Sequence, residues 1–549
     1  MASLAPHTFV LGKKNARHLL RRSTFVYTKA LISQFETLTP QQALDLLVAN
    51  QPLSLPLPYD AEPTTAPDGF WTESTALPSS FLGQVRKAQI LAGWFWYNAI
   101  NSPTLKYKLT HFLSTRFTIE KSNSAGPATM VYDHLRLLMF YAYGNYKTLA
   151  KKMTLDNSML QYLNNTQNNK NAPNENYARE FLELFTIGKG EQIGAGNYTN
   201  YTETDIVEAA KVLTGFKYKA DRSVIDVDTN IPSGYALFSQ HKTGTKTFTT
   251  AFNNTVINSA TDAASMQTEL NSYVEMVFAQ AATAKHICRK IYQYFVKSNI
   301  TTEVETDIIT PMATALQTNG YEILPVVRLL LESQHFYDLD DTNATDETIG
   351  GMIKSPIQQL SEMCTYLQAT LPNPNAEQYN FYRRFWINFV HNTFLTGSNM
   401  ILFDPDSVAG HQAYYQEPNF DKNWISSSTL IARYRLGESM LDGLNRISGN
   451  ANIYAKINIA DVIKNGNIVS NPADPNTLCL ELMNDLFAQE PDAARVTYFK
   501  DTYLLQGFMD YNWTSAWNDY VNTNNLSVVE PRLKLLVKNI TNAPEAQIF

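Results

Sequence analysis

Charge is scarce in this chain. Asp, Glu, Lys and Arg make up only 17% of its 549 residues, below the quarter usual for globular proteins, and the balance is acidic at −7. With no basic run beyond Arg21-Arg22 and its neighbours, a general nucleic-acid binder is excluded. Cysteine is nearly absent: Cys288, Cys364 and Cys479 are odd in number and far apart. That excludes a CxxC zinc pattern and a disulfide framework and leaves three buried free thiols as the reading. No stretch of about 18 apolar residues exists, so no transmembrane helix is expected. Pro6, His7, Lys13 and Lys14 interrupt any apolar leader. The expectation is therefore a cytoplasmic protein, with the periplasm or cell envelope kept open because a surface rich in Asn, Thr, Ser and Gln suits export. No phosphate-binding glycine loop occurs, so no nucleotide cofactor is expected. No Gly-x-Ser-x-Gly elbow supports a Ser–His–Asp mechanism.

What the chain does have is enough apolar residue, 44%, for a large core, and a length that exceeds one typical domain. Apolar positions recur at helical spacing almost throughout. The expected fold is mainly α: a large multi-helical globular unit. Residues 1–80 read as N-terminal helices followed by a Pro/Thr-rich arm from about 51. Residues 81–445 read as a helical core, and 446–549 as a C-terminal helical extension. Within the core, residues 216–255 change character: Tyr218, Val224, Ile225 and Val227 alternate with polar residues, and Thr245 to Phe252 is Thr/Phe-rich. A small β insertion is expected there.

The densest stretch is Asn174 to Gly188. A polar loop containing Pro173 precedes a helix with Asn174 or Asn176 as its cap. Tyr177, Phe181, Leu184 and Phe185 form its apolar stripe, and Gly188 and Gly190 end it. Glu175 and Arg179 are four apart, as are Arg179 and Glu183, and Glu180 and Glu183 are three apart, so three carboxylates surround one guanidinium. Carboxylates crowded this way can have their pKa values pushed apart for acid/base work or can bind a cation. Equally, Arg179 can be a buried clamp pinning the helix to its surroundings.

Six motifs, in order, carry a resemblance to a bacterial family called "domain of unknown function 1800". They are His18 to Phe25, Pro173 to Gly188, Leu213 to Phe216, His241 to Phe248, Arg289 to Tyr292 and Phe403 to Gly410. The resemblance covers about Leu11 to Leu436. It implies a largely helical protein with no established reaction, often encoded beside a second protein resembling phosphatases and sulfatases. The departures are informative. Where the family commonly carries a His-x-His pair, this chain has Ser114 and Arg116. His241-Lys242 stands where His-Asp is usual, and His411 follows Gly410 where Trp is usual. A His-x-His pair with carboxylates suits a first-row metal, and Arg and Lys are poor replacements as ligands. A degenerate metal site is the implication, with no cofactor expected and a divalent metal kept open.

The candidate catalytic constellation is Glu175, Arg179, Glu180, Glu183 and His241, joined by Asp404 and Asp406. Glu180 and Glu183 are too close on one helix to straddle a substrate alone. His241 with Lys242 and Lys246 reads either as an anion site or as a solvent-exposed turn. Aromatic runs in polar surroundings, Tyr414-Tyr415, Tyr511 to Trp513 and Trp517 to Tyr520, suit sugar stacking or a protein interface. The leading reading is a non-catalytic binding or assembly subunit in a bacterial complex, its partner the phosphatase/sulfatase-like protein. The alternative is a metal- or carboxylate-dependent hydrolase acting on an envelope glycan or ester.

Overall fold

The computed structural model describes residues 2–50, 57–60, 71–72, 81–121, 126–342, 347–446 and 450–549. Among them are 22 α-helices and five small two-stranded antiparallel sheets. The mainly α expectation holds. Most of the Pro/Thr-rich arm lies outside the described residues.

Local chemistry sets the helix starts. Thr39 accepts from the Gln42 amide while the Gln42 side chain accepts from the Thr39 amide, and Pro40 occupies the first turn of Pro40–Ala49. Thr202 and Asp205 form the same reciprocal cap on Glu203–Val212. Asp205 also accepts from the amide and hydroxyl of Thr249, so one buried carboxylate fixes both the helix start and the following β segment. That segment is built as expected: Phe216–Lys217 pairs with Tyr235–Ala236, Ile225–Asp226 with Ile231–Pro232, and Lys246–Thr247 with Val256–Ile257. Two further hairpins, Gln192–Gly194 with Asn197–Tyr198 and Leu444–Arg446 with Asn450–Ala455, fall where the sequence shows no alternation.

One hydrophobic cluster contains residues of all three sequence segments, from Leu19 and Leu20 through Phe95 and Trp386 to Leu482 and Leu536. Trp96 lies 5.3 Å from the Trp386 ring, and Gly93 admits that ring because a Cβ there would stand 2.5 Å from it. Polar ties reinforce the union. Arg21 of Gly12–Ser23 donates to Glu362 at 2.9 Å and to the Phe487 carbonyl, and Lys354 reaches Glu362 at 2.9 Å. Asp485 is met by Lys29 at 2.7 Å and by the Tyr366 hydroxyl at 2.8 Å. The helix Asp510–Thr523, which the sequence reads only as aromatic runs, buries Trp513, Trp517 and Tyr520. Those rings belong to the core and are not a stacking surface, whereas Tyr511 is 70% exposed.

Candidate functional site

The Asn174 to Gly188 stretch folds as a short helix, Asn176–Glu180, that widens into a π-helical turn over Phe181–Phe185. Glu175, not an asparagine, stands at the cap position, while Asn174 accepts from the Asn176 amide. The extra residue in the turn rotates the stripe, so Leu182 is buried in place of the expected Leu184. Gly188 sits at φ +72°, and a Cβ there would be 2.5 Å from His286 Nδ1. Only glycine combines that backbone with that neighbour.

The motif's charges separate into two groups. Arg179 makes a bidentate pair with Glu203 at 2.7 and 2.8 Å and a longer contact to Glu175 at 3.4 Å. About a third of the Arg179 side chain is exposed, so it is a surface fork and not a buried clamp. Its main partner, Glu203, lies outside the motif. Glu183 pairs with Lys189 at 2.5 Å and accepts from Tyr201 at 3.2 Å. Burial, and then the charge of Glu183, push Glu180 up to about 7. Glu180 and Asp404 share a field with Glu120: behind burial, all three help push the Tyr162 hydroxyl up. Asp404 also pairs with Lys121 at 3.2 Å, and Asp406 is exposed.

His241 lies elsewhere. Its Nδ1 is 2.9 Å from the Thr214 carbonyl, and its Nε2 is 3.2 Å from Glu269. Lys246 reaches the other oxygen of Glu269 at 2.5 Å. All three side chains are buried, so the solvent-exposed turn is corrected: only Lys242 and its neighbours face water. The anion reading loses Lys246, whose charge Glu269 already balances. Among the described residues no contact joins His241 to Glu175, Arg179, Glu180 or Glu183, and no group of three His, Cys, Asp or Glu is placed to hold a metal.

A different place gathers unbalanced charge. Arg22, Lys108, Arg116 and Lys290 line one pocket, with Asp421 its one side-chain carboxylate among the described residues and the last residue, Phe549, beside Arg22. The last turn of Gly12–Ser23 supplies Arg22. The helix Leu105–Ser114 supplies Lys108, with Arg116 just beyond its end, and Ala281–Phe295 supplies Lys290. Phe25, Tyr294, Tyr414 and Trp424 form the apolar wall. Arg22 donates to an oxygen of the last residue, Phe549, and to the Thr348 carbonyl at 3.1 Å; Lys108, Arg116 and Lys290 make no ion pair among the described residues. Lys108 donates to the Arg21 carbonyl at 3.2 Å and to Gln358 at 2.5 Å, 4.4 Å from the Phe25 ring. Lys290 donates to Gln293 at 3.0 Å. Arg116 has only a 3.5 Å contact to Thr115. Asp421 accepts from the Ser298 hydroxyl at 2.5 Å and the Ile353 amide at 2.8 Å, and its charge favours the protonated form of Arg22.

Burial, then neighbouring cations, bring the Lys108 and Lys290 amines down to about 7. Burial lowers Arg116 to about 10 and Arg22 to about 9. His111, 2.8 Å from the Tyr294 hydroxyl, is pulled to about 3 by burial and by Lys108, so its ring is neutral. Such an array is costly unless an anion completes it.

The motif supports this pocket from behind. His286, admitted by Gly188, lies within the field of Arg116 and Lys290, and Tyr146 bonds the Phe185 carbonyl while sensing Arg116. Two of the six motif regions deliver pocket cations, Arg22 and Lys290, and Arg116 stands at the altered His-x-His position. A signal for them was present in the sequence: in a charge-poor chain, Lys108 and Lys290 interrupt apolar helical runs.

A family model described as "Protein of unknown function (DUF1800)" matches residues 18–548. The chain belongs to the DUF1800 family. The match carries the DUF1800 region through the C-terminal segment, which the sequence reading placed beyond the resemblance. No curated protein and no solved structure matches the chain.

Proposed function

We propose that this DUF1800 protein is a non-catalytic binding subunit for a small oxyanion group, acting with a second protein in a bacterial complex. The pocket carries this reading: Lys108, Arg116 and Lys290, buried or half-buried, converge on one cavity with no carboxylate paired to them among the described residues, beside Arg22, which bonds Phe549 and feels the charge of Asp421. The cavity volume is about 40 Å3, room for roughly three waters or one tetrahedral oxyanion. Arg116 offers the fork geometry that suits phosphate or sulfate. The exposed Phe508, Met509 and Tyr511 support a protein contact, since neighbouring apolar side chains are rarely left in water without a partner.

Calorimetric titration with inorganic phosphate and sulfate tests the proposal. The wild type is expected to bind at least one of them. Arg116→Met is expected to weaken binding roughly tenfold to a hundredfold, the worth of a charge-assisted hydrogen bond, while raising the melting temperature of the ligand-free protein. Absence of oxyanion binding by the wild type overturns the reading.

A second reading, a carboxylate- or metal-dependent hydrolase acting on an envelope glycan or ester, is favoured by one observation: Glu180 is pushed to about 7, where a carboxyl group can both give and take a proton. Turnover by the purified chain that Glu180→Gln abolishes would replace the first reading with this one.

A further inference from the structure

A second, larger cavity adjoins the cationic pocket. Its volume is about 750 Å3, and it shares Gln293, Ser298, Phe420 and Asp421 with the inner pocket. The two spaces therefore meet at a neck where Ser298 bonds Asp421. Their walls differ. The inner pocket is aromatic and cationic. The outer one presents amides and hydroxyls, among them Asn299, Thr301, Thr302 and Asn419, with charges of both signs between them: Lys297, Lys422, Glu417, and Arg289 paired with Glu305 at 2.6 Å. The charge of Arg289 is thus balanced within the vestibule wall, unlike that of Lys290 next to it in sequence.

Size and chemistry divide a ligand in two. The inner cavity admits a tetrahedral head and little more. The outer one is within the range of sites for molecules of several tens of atoms. Its amides and hydroxyls both donate and accept, as a body bearing many hydroxyl groups requires. Buried Phe420 at the neck offers a ring at the point where head and body join. A carboxylate offers two oxygens in one plane, whereas a phosphate or sulfate ester offers three in a tetrahedral array to converging donors.

We infer that the ligand is a phosphate or sulfate ester of a polyhydroxylated molecule of the sugar class, its ester head among Arg22, Lys108, Arg116 and Lys290 and its body in the vestibule. This rests on the oxyanion reading of the inner pocket and adds what the head is attached to.

The experiment titrates the full chain with inorganic phosphate, inorganic sulfate, glucose 6-phosphate, glucose 6-sulfate, acetate and glucose. At least one of the two esters is expected to bind about tenfold or more tightly than its parent inorganic ion, with acetate and glucose far weaker. Preference for one ester identifies the head as phosphate or sulfate, and either supports the inference. Asn299→Ala/Thr302→Val is expected to reduce the ester's advantage severalfold, with an unchanged circular-dichroism melt showing that the variant folds. Inorganic ions that bind as tightly as their esters would overturn this inference and leave the oxyanion reading standing. If neither ions nor esters bind, both fall.

Discussion

Lys108 and Lys290 each feel neighbouring charges of both signs. Arg22 opposes protonation of Lys108 and Glu362 favours it; Arg116 and Arg289 oppose protonation of Lys290 and Glu417 favours it. Burial dominates both, so each amine titrates near 7 in the folded chain and near its ordinary value of 10.5 when unfolded. The folded state then holds fewer protons between those limits, and stability rises with pH through that window. The slope is at most about 1.4 kcal/mol per pH unit for Lys108 and smaller for the half-buried Lys290. Urea unfolding between pH 7 and 10 is expected to show wild type gaining on Lys108→Met/Lys290→Met as pH rises. Oxyanion affinity has the opposite sign: it is strongest below pH 7, where both amines are charged. A flat difference between wild type and variant would mean that these amines keep their ordinary titration. Single residues also show where sequence spacing misleads. Arg179 sits four residues from both Glu175 and Glu183, yet its close partner is Glu203, because the start of Glu203–Val212 folds back against the motif.

At the scale of elements, helices were legible wherever a cap and a periodic stripe agreed. Lys29–Phe35, capped by the Thr28 hydroxyl with Ile32 and Phe35 buried, is such a helix. The π-helical turn at Phe181–Phe185 was not legible, since one added residue leaves composition unchanged and only shifts which side chains are buried. Its consequence is that Gly188 meets His286. Gly188→Ala adds a Cβ where φ is +72° and the imidazole is 2.5 Å away. The combination of strain and overpacking is expected to cost about 2–4 kcal/mol, read as a lower urea midpoint, and to weaken oxyanion binding through the displaced His286. Wild-type stability and affinity in this variant would remove the motif's supporting role. The β insertion near 216–255 was legible as a change of pattern. Its strands of two residues were not, because so short a pair is specified by what it packs against.

Across the whole molecule, buried ion pairs join distant segments. Glu362 serves Arg21 of the N-terminal helix and Lys354 at once, and those cations together with neighbouring groups hold its carboxyl below its ordinary value despite burial. Glu362→Gln removes the paired counter-charge of two buried cations, with Asp485 left as a weaker one for Arg21, and is expected to destabilise by about 3–5 kcal/mol, with N-terminal and C-terminal helices unfolding in one transition when followed by hydrogen exchange. Separate transitions would show that the segments do not share one core. The amino-acid order by itself determined the helical class, the β insertion and the family, because periodicity, caps and ordered motifs are local. The tertiary structure alone decided which charges matter. It paired Arg179, Lys246 and Glu269 with neighbours and left Lys108, Arg116 and Lys290 together without a carboxylate partner. Whether a charge is balanced depends on segments hundreds of residues apart in the chain, and no local pattern records that distance.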